Sequence, residues 1–300
     1  MSILKLLEEY DKALEGLEEE AIERLHRAMD ITFRQLTDKL TKTYPKIAKV
    51  PSLLPAQREL LLTQELGDLL SLINPAEEEY YQGRLKELIN GSHDLGQDTV
   101  EKLIREIDPD FKVGSFTKLP QAAAAIAADN SYKRLARYGE VFKAQATQVI
   151  TQGLIQGWGN KRIAQALKQA TNTTKSNAEM IARTESAHAA IGAAQRRYQD
   201  TGIKYGIWVS VLTEVCPWCV SRSGKIFELR EIVIPAHPRC RCGIIPVTPE
   251  WARSDRLDFG AIDKFSARVK SKLKGSPRSD KAPFEIKAPQ EITIEQLKKK

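Results

Sequence analysis

The sequence lacks the long apolar run that a membrane-spanning helix requires. Its longest purely apolar run is Ala122 to Ala128, whereas a helix needs about 18 apolar residues to cross the hydrocarbon core of a bilayer. Glu8 and Glu9 interrupt the apolar start of the chain, which is not the pattern of a secretory signal peptide. We therefore expect no membrane partner and synthesis in a reducing cytoplasm.

Aromatic residues are also scarce, at 7 % of the chain, while hydrophobic residues make up 42 % and charged residues 28 %. The last two values are close to those of soluble globular proteins, so a collagen-like or wholly disordered chain is excluded. With 300 residues, the chain has room for about two domains and for a core of its own.

Positive charge is unevenly distributed along the chain. The net charge is +7 overall, and residues 251–300 alone carry 13 Lys and Arg against 7 Asp and Glu. Such a basic tail predicts a polyanionic neighbour, with nucleic acid as the leading candidate. A solvated tail that only keeps the protein soluble is an equal alternative.

Apolar residues spaced three and four apart predict long helices in the first half of the chain. The first covers residues 1–44, and its apolar seam with glutamate-rich flanks can pack against another helix. Tyr44-Pro45 is predicted to end it. A second periodic segment covers residues 56–73. Pro75 begins a third helix, which Asn90-Gly91 is expected to close before a shorter helix near 94–107.

Two further helix starts precede a change of period. Asn160 can cap one helix, and a capping box at Ser176 predicts a second that ends before Gly202. From Ile203 to Leu212 the period changes to two, which predicts a strand. Two shorter strands near 225–229 and 243–247, a short helix near 260–273 and an extended arm complete the chain.

All four cysteines fall within 27 residues and resemble a zinc-binding pattern. Cys216-x2-Cys219 is followed, after 17 residues, by His237-x2-Cys240, and Cys242 lies close by. Two pairs of ligands with this spacing are typical of zinc ribbons, in which each short turn supplies two ligands to a tetrahedral ion. We favour Cys216, Cys219, His237 and Cys240 as ligands of a structural Zn²⁺ ion, with Cys242 as the substitute.

Disulfides and free thiols are the alternatives to zinc in this segment. Disulfides are rare in a reducing cytosol, which favours the metal. A catalytic zinc ion keeps one coordination position open, whereas five candidate ligands indicate a closed structural site. The turn-like residues 220–224 after Cys219 argue against a redox Cys-x-x-Cys motif.

Three features of the sequence resemble the phage Mu F-like minor head proteins, also called the phage head morphogenesis family. They are the helical segment Ala182-Arg183-Thr184-Glu185, the strand with Trp208 that leads into Cys-x-x-Cys, and the closing segment His237-Pro238-Arg239-Cys240-Arg241-Cys242. The resemblance covers about residues 140–250. It implies a virion protein, present in few copies at the portal vertex, that aids head assembly, DNA packaging or DNA delivery.

The predicted fold is mainly α: long N-terminal helices are followed by an α+β module with a small zinc-knuckle-like β region and an extended basic tail. We expect a helical domain over residues 1–118 that contacts the portal protein or another copy of the chain. A Mu F-like module would cover residues 119–250, and the tail residues 251–300. The partners implied are the portal protein, other head proteins and packaged double-stranded DNA.

Basic residues around the knuckle and in the tail are candidates for phosphate contacts. These candidates are Arg222, Lys225, Arg239, Arg241, Lys270, Lys272 and Lys274. Arg183 and Glu185 could instead act as an anion clamp and a base in a zinc-dependent nuclease. Because neither a second carboxylate nor a nucleophile accompanies them, we favour helix salt bridges and a protein that is not an enzyme.

Overall fold

Three long helices form most of the chain that the structure describes. The computed structural model describes residues 2–48, 75–113, 160–210, 216–273 and 286–300, together with scattered positions between 144 and 158. The long helices are α1 (Ile3–Ala48), α2 (Pro75–Ile107) and α3 (Asn160–Asp200). Among the described residues, no helix combines the length and apolar character needed to span a bilayer. The predicted periodic segment at 56–73 lies outside the described residues.

The long helices continue through positions where the sequence predicts breaks. Helix α2 passes through Asn90-Gly91, and α3 passes through Ser176. At Gly91, a Cβ atom would lie 3.6 Å from the Leu17 side chain, so the glycine lies in a helix contact rather than in a turn. Burial of residues on both sides of each predicted break stabilises the continuous helix by more than the local stop signals destabilise it. Helix α1 likewise ends at Ala48 rather than at Tyr44.

A three-stranded antiparallel sheet follows α3, as the change of period predicts. Strand β1 (Tyr205–Val209) lies between β2 (Ile226–Glu228) and β3 (Gly243–Val247). In the register of the sheet, Gly206 pairs with both Phe227 and Pro246. A Cβ atom on Gly206 would come within 2.8 Å of two side chains, so the crowded centre of the sheet requires glycine there.

Short helices surround the sheet, namely α4 (Pro217–Val220), α5 (Pro249–Arg253), α6 (Phe259–Ser271) and α7 (Ile294–Lys298). Helix α6 confirms the helix predicted near 260–273, and Asp258 caps it by accepting from the backbone N–H of Ala261. The C-terminal residues pack on the sheet edge: Ile292 forms a bridge with Ile226, and Leu297 is fully buried.

The chain forms two compact units. The first contains Met1–Glu18, Glu87–Ala127 and Arg183–Lys300, and the second contains Glu19–Lys86 and Ala128–Ala182. The core of the first unit is built on the sheet, where Trp208, Tyr198 and Trp251 are buried; a smaller cluster around Leu36, Leu40, Ile163 and Leu167 lies in the second. The mainly helical fold with a small sheet in the C-terminal part is thus confirmed, while the domain boundaries at 118 and 250 stay a prediction.

Candidate metal centre

The first two candidate ligands come from a single helical turn. Cys216 occupies the position before α4, with extended backbone angles, and Pro217 follows as the first helical residue. Proline is suited to this position because its fixed φ angle matches the helix and no hydrogen bond is lost. Three residues apart on a helical turn, the side chains of Cys216 and Cys219 lie on the same face.

The other three candidates come from the segment that enters β3. The backbone N–H of Cys240 donates to the carbonyl oxygen of His237 at 3.2 Å, which closes a second tight turn. Arg239 adopts a left-handed φ of 59° within this turn. Its backbone N–H donates to Thr184 Oγ1 at 3.1 Å, and this bond fixes the turn against α3.

The two turns bring all five predicted ligands together as two overlapping groups. The ligand atoms of Cys216, Cys219 and His237 lie within 4.8 Å of one another, and so do those of Cys219, Cys240 and Cys242. Cys219 belongs to both groups, and all four cysteines are free thiols. Three thiols and an imidazole are a donor set that binds thiophilic metal ions, so the cluster could hold a metal ion.

Hydrogen bonds within the cluster favour the thiolate at Cys216 and Cys240, whereas the bonds of Cys219 to Cys216, Cys240 and Cys242 raise the pKa of Cys219. The bond to Cys219 lowers the pKa of Cys216 to about 4, and a bond to His237 acts in the same direction. Burial alone would lower the pKa of His237, but its hydrogen bonds to Cys216 and Cys240 raise that pKa to about 10. The pKa of Cys240 is likewise lowered, first by its bond to Cys219. Because a metal ion binds the thiolate and the neutral imidazole, its binding would displace the protons that the raised pKa values favour at Cys219 and His237.

The second ring nitrogen of His237 is held by the backbone. Nδ1 lies 2.8 Å from the carbonyl oxygen of Pro238. If Nδ1 carries the proton, it donates to this carbonyl, and the lone pair of Nε2 stays available for a metal ion. Such an outer hydrogen bond is the usual partner of a metal-binding histidine, because it fixes both the tautomer and the ring orientation.

Cys242 differs from the other thiols in having a partner outside the cluster. It is buried, and its Sγ donates to Ser210 Oγ at 3.6 Å. The hydrogen bonds to Cys219 and Ser210 lower the pKa of Cys242, but its bond to Cys240 and its burial outweigh them and raise that pKa above its ordinary value. Because a ligand must lose its proton, Cys242 stays the predicted spare member of the five.

A buried carboxylate connects the segment 237–242, which carries three of the candidate ligands, to α1. Glu18 is fully buried and accepts from Ser186 Oγ at 2.5 Å. The Arg241 side chain, between Cys240 and Cys242, forms ion pairs with Glu18 and with Asp11, the latter at 3.3 Å. Arg183 Nη1 lies 3.5 Å from the same Glu18 carboxylate.

Burial dominates the electrostatics of this group. It raises the pKa of Glu18 despite the hydrogen bond from Ser186 and the positive charges of Arg241 and Arg183. It also raises the pKa of Asp11 against the attraction of Arg241. For Arg241 the balance is reversed: burial lowers its pKa, but the carboxylates of Glu18 and Asp11 raise it above its ordinary value. Arg241 therefore stays charged and holds both acids.

Sequence reasoning missed Glu18, although a signal was present. Leu14, Ala21 and Leu25 belong to the buried side of α1. Glu18 falls at the helical spacing of this apolar stripe, where a charged residue is unexpected without a buried partner. The partners could not be identified from spacing, because Arg241 lies 223 positions away.

The basic candidates for phosphate contact occupy very different environments. Arg222 is buried against α4, and Lys225 Nζ pairs with Glu291 at 2.6 Å. Arg239 is half-buried, whereas Lys270 and Lys272 at the end of α6 are exposed. The side chain of Arg241 is occupied by Glu18 and Asp11, as described above, and Lys274 lies outside the described residues. The structure therefore does not gather these side chains into one surface.

The remaining motif residues lie on α3 beside the turn at residues 237–240. Arg183 contacts Glu18, Thr184 accepts from Arg239, and Glu185 is buried at 8 % exposure. The helical Ala-Arg-Thr-Glu segment and the His-Pro-Arg-Cys-Arg-Cys segment, more than fifty residues apart in the chain, therefore contact each other.

This pairing of segments coincides with the part of the chain that matches a known family. Residues 144–245 match the Phage Mu protein F like protein family. The resemblance inferred from the motifs is thereby confirmed, and it supports a phage Mu F-like head protein. The Mu F-like segment includes both contacting motifs and all five candidate ligands.

One curated relative matches the chain over a stretch of comparable length to the Mu F-like segment. An uncharacterized protein of Haemophilus influenzae is 33 % identical to the chain over 104 residues, which amount to 33 % of this chain and 23 % of the relative. The match thus spans about a quarter of the relative's length. No solved structure matches the chain.

Proposed function

We propose that this chain is a structural minor head protein of a phage, associated with the portal vertex, that aids head assembly and DNA packaging or delivery. The observation that carries the proposal is the Mu F-like match over residues 144–245, whose two motif segments contact each other beside the thiol cluster. A virion location follows from the same match.

In this proposal the cluster holds a structural Zn²⁺ ion through Cys216, Cys219, His237 and Cys240. When bound, Zn²⁺ would crosslink the two turns. The donor set, the lowered pKa of Cys216 and the backbone partner of His237 Nδ1 support this assignment. Strand β2 has only three residues, so a metal ion that joins the two turns would add stability to this small module.

A structural role is favoured over catalysis by the contacts of the motif residues. Arg183 contacts a buried carboxylate, and Thr184 accepts a backbone hydrogen bond. Both side chains thus hold α3 against its neighbours. A zinc-dependent nuclease, the alternative from the sequence, would need an anion clamp that reaches a substrate, which an arginine turned towards Glu18 does not provide.

The proposed partners fit the charge of two exposed elements. Helix α6 exposes Lys264 and Lys270, and Lys272 follows at its C-terminal end, which suits packaged DNA or an acidic surface of the portal protein. The N-terminal part of α1 exposes Glu8 and Glu9 and suits a basic partner. These contacts are proposals that go with the portal location.

Phage particles that carry an epitope tag at the C-terminus of this chain test the proposal. We expect purified heads, washed in high salt, to retain the chain in a few copies, and a low-resolution map of labelled particles to place it at the portal vertex. A phage in which Arg183 and Arg241 are both replaced by Met serves as comparison and should incorporate less chain. Particles that contain no copy, while the chain stays in the lysate, would refute the proposal.

A further inference from the structure

One basic residue of the knuckle is packed on the cluster rather than on the surface. Arg222 is only 5 % exposed. Its backbone N–H donates to the carbonyl oxygen of Cys219 at 3.1 Å, and its Nη1 donates to the carbonyl oxygen of Trp218 at 3.0 Å. The side chain thus turns back over α4, the helical turn that carries Cys216 and Cys219.

The guanidinium is also held from the side by an aromatic ring. Its central carbon lies 3.5 Å from the centroid of the Trp218 ring, and Nη1 lies 3.0 Å from Ser221 Oγ. Trp218, between the two cysteines, is itself 2 % exposed and packs edge-on against Trp208. Stacking and two hydrogen bonds leave the planar group little freedom, so its charge has a defined position on Trp218, the residue between Cys216 and Cys219.

The charge of the proposed metal site requires a compensating cation. Three thiolates and one neutral imidazole around a divalent ion leave an excess of one negative charge. Cys219 and Cys240 are 2 % and 0 % exposed, and an uncompensated charge at such depth is costly. Burial lowers the pKa of Arg222, while the charges of Cys219 and Cys216 act in the opposite direction, so the guanidinium is within electrostatic reach of both thiols.

We propose that Arg222 is a positioning and charge-balancing residue of the metal centre: its guanidinium holds the Cys216–Cys219 turn and compensates the excess negative charge of the bound thiolates. This inference rests on the proposed function only in that the cluster binds a metal ion. It replaces the interpretation of Arg222 as a phosphate-contacting residue, because a side chain that donates to Trp218 and Ser221 at this depth does not face a duplex.

Three variants of the full chain separate charge from packing. Arg222→Met keeps much of the volume and removes the charge, whereas Arg222→Lys keeps the charge without the planar fork. Arg230→Met is the matched control, because Arg230 is exposed and pairs with Glu228 at 2.6 Å. Affinities for Co²⁺ and Zn²⁺ are measured by competition with a chelator, and the thiolate-to-Co²⁺ absorption bands provide a spectroscopic readout.

We expect Arg222→Met to bind both ions about 10- to 100-fold more weakly, the usual effect of losing an outer partner of a metal site. Arg222→Lys should restore most of that affinity, and Arg230→Met should bind like the wild type. The thermal midpoint of Arg222→Met should fall more in the metal-loaded than in the metal-free protein, which loss of packing alone would not produce.

Each failure has a distinct meaning. If the wild type binds neither ion, the metal assignment itself fails. If the wild type binds metal and Arg222→Met binds equally well, or Arg222→Lys loses as much affinity as Arg222→Met, the inference about Arg222 is overturned while the metal site stands. Loss of salt-dependent DNA affinity in Arg222→Met, with metal affinity unchanged, would restore the phosphate-contacting role.

Discussion

The buried ion pair between Glu18 and Arg241 provides the sharpest test of how the Mu F-like segment is attached to the N-terminal helix. Glu18 is fully buried and the Arg241 side chain is 6 % exposed. Removing one member of such a pair leaves an uncompensated charge in the core and costs about 3–5 kcal/mol. The remaining contacts of Glu18, to Ser186 at 2.5 Å and Arg183 at 3.5 Å, place the expected cost near the lower end, about 3 kcal/mol.

A double-mutant cycle measures this coupling directly. Glu18→Leu and Arg241→Met should each lower the free energy of unfolding by about 3 kcal/mol. The double variant should lose only about 4 kcal/mol, because it leaves neither charge without its partner, so the interaction energy is about 2 kcal/mol. Asp11, which is partly exposed, then recovers water as its partner.

The assay is urea unfolding of the zinc-saturated full chain, followed by tryptophan fluorescence. Trp208, Trp218 and Trp251 all lie in the unit that contains the pair, so a Trp158→Phe background restricts the signal to that unit. The exposed pair of Glu8 and Arg268, 3.7 Å apart, is the control, and its cycle should give less than about 1 kcal/mol. Costs for Glu18→Leu and Arg241→Met that add to within about 0.5 kcal/mol would refute the reasoning.

Two further predictions concern the ligands and the packing of the helices. Cys219→Ser should lose one equivalent of bound Zn²⁺, because Cys219 belongs to both ligand groups, whereas Cys242→Ser should keep it. Metal analysis after dialysis measures the bound Zn²⁺. Equal retention by both variants would contradict the assignment of ligands. Gly96→Ala should lower the thermal midpoint strongly, since its new Cβ would lie 2.1 Å from the carbonyl oxygen of Ala190. At Gly192 a Cβ atom would meet nothing within 4 Å, so Gly192→Ala should stabilise the chain by about 0.5–1 kcal/mol. Calorimetry measures both thermal midpoints. If Gly96→Ala were the more stable of the two variants, α2 and α3 would not pack as described.

The candidate site was largely predictable because its ligands are grouped in short segments. Cys216 and Cys219 are three residues apart, as are His237 and Cys240, so local turns suffice to pair them whatever the rest of the fold does. The strand from Ile203 was predictable for a similar reason, since its alternation is a property of consecutive residues. The helix breaks at Asn90-Gly91 and Ser176 were wrong because a capping signal is worth little against an apolar face that continues on both sides.

The sequence by itself determined the donor set, the change from helical to strand periodicity and the resemblance to a phage head family, because all of these are written in neighbouring residues. Only the tertiary structure decided which charges are buried: it placed Arg222 on the ring of Trp218 and joined Arg241 to Glu18 across most of the chain. The environment of a charged side chain depends on segments that pack on it from far away in sequence, and no local pattern records those contacts.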